Sequence, residues 1–83
     1  MIYMIFTIYD RAAERYLSPW FAETEEAAKR IFAHNIKSID IWSENPEQFE
    51  LHRIGVFNDL EGTITEACNG LICKGTDLIR KEA

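Results

Sequence analysis

The chain is short of cations. Its 83 residues carry 9 Lys and Arg against 14 Asp and Glu, a formal net charge of -5. A protein of that sign gains little from the phosphates of duplex DNA, where affinity comes from neutralising charge and releasing counterions. Any nucleic-acid site must therefore be local. Also missing is an apolar run long enough to span a bilayer. Met1 to Tyr9 is apolar but short, lacks a basic leader and ends in a charged turn, so no signal peptide is expected and the chain reads as cytosolic. A Gly-rich phosphate loop, a nucleophile elbow and a His-Glu metal pair are all lacking, which leaves an enzymatic function without a motif. At 83 residues a second domain is excluded, and internal repeats, low-complexity tracts and linkers are lacking too.

Cysteine is scarce. Cys68 and Cys73 are spaced C-x4-C, and in a cytosolic protein they should stay reduced. With His34 and His52 they would number four zinc ligands, but each histidine is isolated, and neither a metal nor another cofactor is expected. The carboxylates of Asp40 to Glu50 and Asp59 to Glu66 lie in polar connections, without the apolar surroundings that shift pKa values for catalysis.

What is present is apolar. Hydrophobic residues make up 47% of the chain and aromatics 12%, ample for one compact core. "MIYMIFTIY" reads as a central strand covered on both faces, with Ile2, Met4, Phe6 and Ile8 on one side and Tyr3, Ile5, Thr7 and Tyr9 on the other. "YLSPWFAE" is a second strand that Pro19 demotes to an edge. "TEEAAKRIFAHNIKSI" is a helix, with Thr24 as N-cap and Glu25 and Glu26 in the first turn. Ala28, Ile31, Phe32, Asn35 and Ile39 form its predicted buried stripe, flanked by Ala27 and Ile36, over the first two strands. "DIWSENPEQ" is a polar connection around Pro46. "FELHRIGVFND" is a third strand whose alternation slips near Gly55, a candidate bulge. "DLEG" is a turn and "TITEA" a fourth strand. Residues 68–83 read as a loose tail with at most a terminal helical turn, behind a single domain over 1–67. The order β-β-α-β-β gives an α+β fold, a mostly antiparallel sheet of about four strands with one main helix.

Charge is unevenly spread. Residues 1–37 balance, whereas from Ser38 onward four basic residues face nine acidic ones. The balanced half holds the segment "DRAAERYLSPWFAET". Arg11, Arg15, Tyr16, Trp20 and Phe21 stand within it, and Lys29 and Arg30 could extend a basic path from the helix. Single strands are held by aromatic faces that stack on bases and by cations that follow phosphates, and this segment supplies both. If Asp10 caps a helical turn over "RAAER", Arg11 and Arg15 fall at i and i+4 and point the same way. The plainer reading is that Trp20 and Phe21 are partly core and the arginines belong to a solvated turn.

The run "IFTIYDRAAERYLSPWFAETEEAAKRIF" (Ile5 to Phe32), followed by "FELHRIGVFND", resembles the small nonstructural protein of tailless single-stranded-DNA phages, the gokushovirus-type microviruses. The resemblance covers about Ile2 to Gly62, and "DRAAERYLSPWFAET" is its most specific part. It implies a DNA-binding protein outside the virion, in the cytoplasm of the infected bacterium, acting near replication or the switch to packaging. No catalytic residues come with it. The expectation is a non-enzymatic homodimer that binds single-stranded DNA through Arg11, Arg15, Tyr16, Trp20, Lys29 and Arg30, away from any membrane. The rival is a module that engages a phage or host protein through its acidic half, with Trp42, or through an open sheet edge.

Overall fold

The computed structural model describes residues 2–67 and 70–78. The strands are β1 (Ile2–Asp10), β2 (Arg15–Tyr16), β3 (Trp20–Ala22), β4 (Phe49–Asn58), β5 (Thr63–Glu66) and β6 (Leu71–Lys74). The helices are α1 (Glu25–Ser38), α2 (Asp40–Glu44) and α3 (Gly75–Leu78), with a 3-10 turn at Pro46–Gln48. All strand pairs are antiparallel, which makes the protein an α+β fold. β1 and β4 form the centre. β2 and β3 share the free edge of β1, while β5 and β6 share that of β4.

Both shared edges follow from breaks in the chain. Pro19 has no N–H to give a ladder, so the outer strand stops at Tyr16 and restarts at Trp20. The gap is stitched: Leu17 N–H donates to the Ile8 carbonyl at 2.8 Å, and the Thr7 hydroxyl donates to the Leu17 carbonyl at 2.6 Å. Thr7 is 1% exposed, so that bond satisfies a hydroxyl that burial would otherwise leave costly. From Tyr9 to Phe6 the inner strand takes three steps, but from Tyr16 to Trp20 the outer chain takes four. A one-residue slip turns alternating side chains to the other face. On β4, register is lost between the Phe6–Arg53 and Ile5–Gly55 pairs, leaving Ile54 as the extra residue. This is the bulge that the sequence places beside Gly55.

Helix α1 begins where Thr24 accepts a hydrogen bond from Ala27 N–H at 3.1 Å. Its buried line is Ala28, Phe32 and Ile36. The predicted stripe is therefore displaced: Ile31 is 44% exposed, Ile39 is exposed too, and Asn35 is half-buried. The cause is α3, which docks beside Ile36 and Pro46 and draws the buried line towards that flank. The core joins that line to Phe6 and Ile8 of β1, Ala22 of β3, and Phe49 and Leu51 of β4. Burying side chains of this size contributes roughly 1.5–3 kcal/mol each.

Two segments are more ordered than their polarity suggests. The connection around Pro46 contains α2 and the 3-10 turn, held down by Trp42 stacked on Phe49 at 4.4 Å and 16°. Beyond residue 70, where a loose tail is expected, β6 pairs with β4 and α3 packs against the 3-10 turn. Gly75 makes that docking possible, because a Cβ there would collide with the Pro46 carbonyl and press on Ile36. Gly75→Ala is expected to cost roughly 1–3 kcal/mol through overpacking, lowering the thermal midpoint by at least several degrees. A midpoint within one degree of the parent would show that α3 is not docked this way.

Candidate functional site

The three helices lie on one face of the sheet. On the other, the paired registers bring rings together. Tyr3 of β1 pairs with Phe57 of β4, and Ile5 pairs with Phe21 of β3. The Tyr3 and Phe57 rings are stacked at 6.5 Å, and those of Phe57 and Phe21 at 5.6 Å. At the far end of β1, Tyr9 pairs with Tyr16, the two rings 4.7 Å apart. His52 stands edge-on to both, at 6.1 Å and 5.6 Å. The two ring triads are centred roughly 15 Å apart along the sheet, their members level with residues 3–5 and 7–9 of β1 at roughly 3.3 Å per residue. Between them, Ile5 at 5% exposure and Thr7 are sealed although no helix among the described residues covers this face. Expected cover on both faces of β1 is thus met by helices on one side and by neighbouring side chains on the other.

The slips decide which rings take part. Without the break at Leu17–Pro19, Trp20 would share the face of Tyr16 and Phe21 would point at the helix. With it, Trp20 packs against core Phe6 at 6.2 Å, while Phe21 is 54% and Tyr16 55% exposed. The bulge at Ile54 likewise sends Phe57 to the open face and Val56, opposite Met4, to the helix side.

Charges at the ring face are few. Glu50 accepts from or pairs with His52 at 3.0 Å. Lys74 pairs with Glu50 in the ladder and Glu66 pairs with Gly55. Arg11 and Arg15 are exposed at the hairpin beside Tyr9 and Tyr16. Asp10 does cap this hairpin, accepting from Ala12 and Ala13 N–H at 3.0 Å and 3.2 Å. The turn does not continue as a helix. Glu14 adopts a left-handed φ of 55, and the chain reverses so that Arg15 pairs with Asp10. The i, i+4 alignment of the two arginines is not made.

Of the six residues that the sequence nominates, Arg15, Tyr16 and Trp20 come together around one cavity of about 540 Å³. It lies between α1 and the β2–β3 edge, floored by Ile8 and bounded by Ile31, Asn35 and Trp42. Arg11 stays on the loop. Lys29 lies on the opposite flank of α1, near enough to Cys73 to act on its thiol, and Arg30 is exposed on the helix. These three do not join the cavity. Sequence reasoning passed over Tyr3, Tyr9, His52 and Phe57. Their parity along the strands was available, but which parity stays open to water was not.

Burial pushes the Cys73 thiol above its ordinary value of 9.0, and Asp77 and Glu25 add to the shift while Lys29 partly offsets it. Cys68 lies outside the described residues. Among the described residues no three His, Cys, Asp or Glu side chains gather as metal ligands. None of their helices is long and apolar enough to cross a membrane.

A family of phage proteins, described as "Phage ORF5 protein", has a model that matches residues 3–78. No curated protein and no solved structure matches the chain.

A raised thiol pKa lowers the thiolate fraction near neutral pH. In a Cys68→Ser background, Cys73 is expected to alkylate at pH 8 at least severalfold more slowly than a free cysteine. The neutral thiol is favoured in the fold, so its contribution to stability holds below the ordinary value and is lost as pH rises through the raised one. Alkylation as fast as that of free cysteine would show an open thiol.

Proposed function

The chain belongs to the phage ORF5 protein family, and on that footing we propose that it is a non-enzymatic, nonstructural protein that binds single-stranded DNA through the open face of its sheet. The observation that carries this reading is the pair of ring triads on a face that no helix among the described residues covers. Bases stack on such rings whatever their sequence, each worth roughly 1–3 kcal/mol. Two or three stacks total roughly 2–9 kcal/mol before the cost of ordering the strand, which places affinity between roughly 30 mM and 0.3 µM. Arg11, Arg15 and Lys74 would follow the phosphates. In this reading the protein acts in the cytoplasm of bacteria infected by a tailless single-stranded-DNA phage, during replication or the switch to packaging.

The charge balance shapes how binding should behave. With about three cations engaged, each releasing roughly 0.7 of a counterion, log affinity should fall with log salt at a slope near -2. That is shallow. Stacking rather than charge would hold the strand, and the acidic remainder would keep the protein off duplexes.

A second reading has its own support. Ile64 at 67% exposure and Leu71 lie beside the ring face, and apolar residues in such a position suit a protein partner. That partner would be a second copy of the chain, giving a homodimer, or another phage or host protein. Two copies would present two strand sites on one particle and gain avidity without new contacts.

Titration with an oligodeoxynucleotide of about fifteen residues, followed by anisotropy at low salt, separates the readings. Saturable binding is expected, weakened roughly 5- to 100-fold by Tyr16→Ala or Phe21→Ala, both exposed and so tolerated by the fold. Folded protein that shows no saturable binding, or variants that bind like the parent, would remove the ring face as the site. Mass measured across protein concentrations reports the homodimer.

A further inference from the structure

The cavity between α1 and the β2–β3 edge differs chemically from the rest of the molecule. Fourteen of 83 residues are acidic, yet among the described residues no carboxylate lines it, and the one charge in its lining is the Arg15 guanidinium. Arg15 has no ion pair among the described residues. An anionic group is the complement to that lining. Two indoles contribute to the walls and both are fixed from behind, Trp42 by its stack on Phe49 and Trp20 by its contact with Phe6. Rings that cannot turn away offer a ready surface to a flat aromatic group.

Asn35 adds a directional element. It stands at half burial in the helical row Ile31, Asn35, Ile39, where a longer apolar residue would extend the row and favour the helix. Its side-chain amide makes no hydrogen bond among the described residues, and neither does the Ser18 hydroxyl beside it in the lining. An amide presents a donor and an acceptor side by side, the pattern that matches the edge of a nucleobase. Trp20 also carries a buried indole N–H with no acceptor among the described residues. A locally unfavourable choice without a structural return marks a binding position.

We propose that this cavity binds one deoxynucleotide unit, its base against Trp20 and Trp42 and within reach of Asn35, its phosphate on Arg15. At about 540 Å³ the cavity falls among those that hold small ligands. The site shares Arg15 and Tyr16 with the ring-face reading, but Asn35 and the two indoles belong to the helix side of the sheet. It would stand even if strands never bound the rings. The unit can come from a free nucleotide or from a nucleotide within a strand, and the chemistry is the same.

Titration of the folded protein with dAMP tests it, read by indole fluorescence and by calorimetry. Saturable binding is expected, at least tenfold tighter than that of deoxyadenosine, with inorganic phosphate inert over the same range. Arg15→Gln and Asn35→Leu should each weaken dAMP at least fivefold, while the ring-face variant Phe21→Ser stays within twofold of the parent. Asn35→Leu should keep or raise the melting temperature, which a merely structural asparagine would not allow. A 5′-phosphorylated decadeoxyadenylate that displaces dAMP assigns the site to a strand, and one that does not assigns it to the free nucleotide. No saturable dAMP binding, equal affinity for deoxyadenosine, or parental affinity in both cavity variants overturns the proposal.

Discussion

Side chains on a strand alternate strictly, and almost everything about the surface of this protein depends on where that alternation is broken. β1 keeps its phase from Ile2 to Asp10, but each neighbour slips by one residue beside it, one at Leu17–Pro19 and one at Ile54. The two slips act in concert. One turns Trp20 into the core and Phe21 out, and the other turns Val56 in and Phe57 out. Phe21 and Phe57 then meet at 5.6 Å across β1, which neither could do in an unbroken register.

The same break at Leu17–Pro19 shapes both faces. Because β2 and β3 do not join, the edge beside Ile8 is left without a continuous strand, and the cavity opens there on the helix side. On the other side it leaves Tyr16 against Tyr9 and Phe21 against Phe57. The cost of interrupting a ladder is limited by two hydrogen bonds at Leu17, its amide donating to the Ile8 carbonyl and its carbonyl accepting from the Thr7 hydroxyl. Thr7 at a buried strand position is thus explained by its hydroxyl: valine would match its shape and leave the Leu17 carbonyl unpaired.

Much of the fold was legible in the residues. The apolar run of β1, the Thr24 cap, the turn at Gly62 with its φ of 66 and the bulge beside Gly55 each rest on local chemistry that a sequence displays. The displaced helix stripe was not legible, because Ile31 and Ile36 are equally apolar and only the docking of α3 chooses between them. β6 was hidden for a related reason: "LICK" is short, and its pairing with Leu51 and Glu50 is a property of the sheet edge that receives it. The candidate site was half legible. The nominated segment does hold Tyr16, Phe21 and the cavity residues Arg15 and Trp20, but their separation onto two faces depends on a slip that Pro19 permits without dictating.

Net charge then limits what either surface can do. A protein with five excess negative charges cannot draw in a polyanion from a distance, since the summed field repels it. On the proposed function, recognition must come from contacts made within a few ångströms, where rings and nearby guanidinium groups outweigh a screened field. Such contacts are short-ranged, tolerant of sequence and individually weak. They favour a strand already unpaired over a duplex, whose bases are stacked on one another and offer no faces. Selectivity for single strands would therefore come from the absence of competing stacking in the ligand, with the acidic surface adding a uniform penalty that duplexes have nothing to offset.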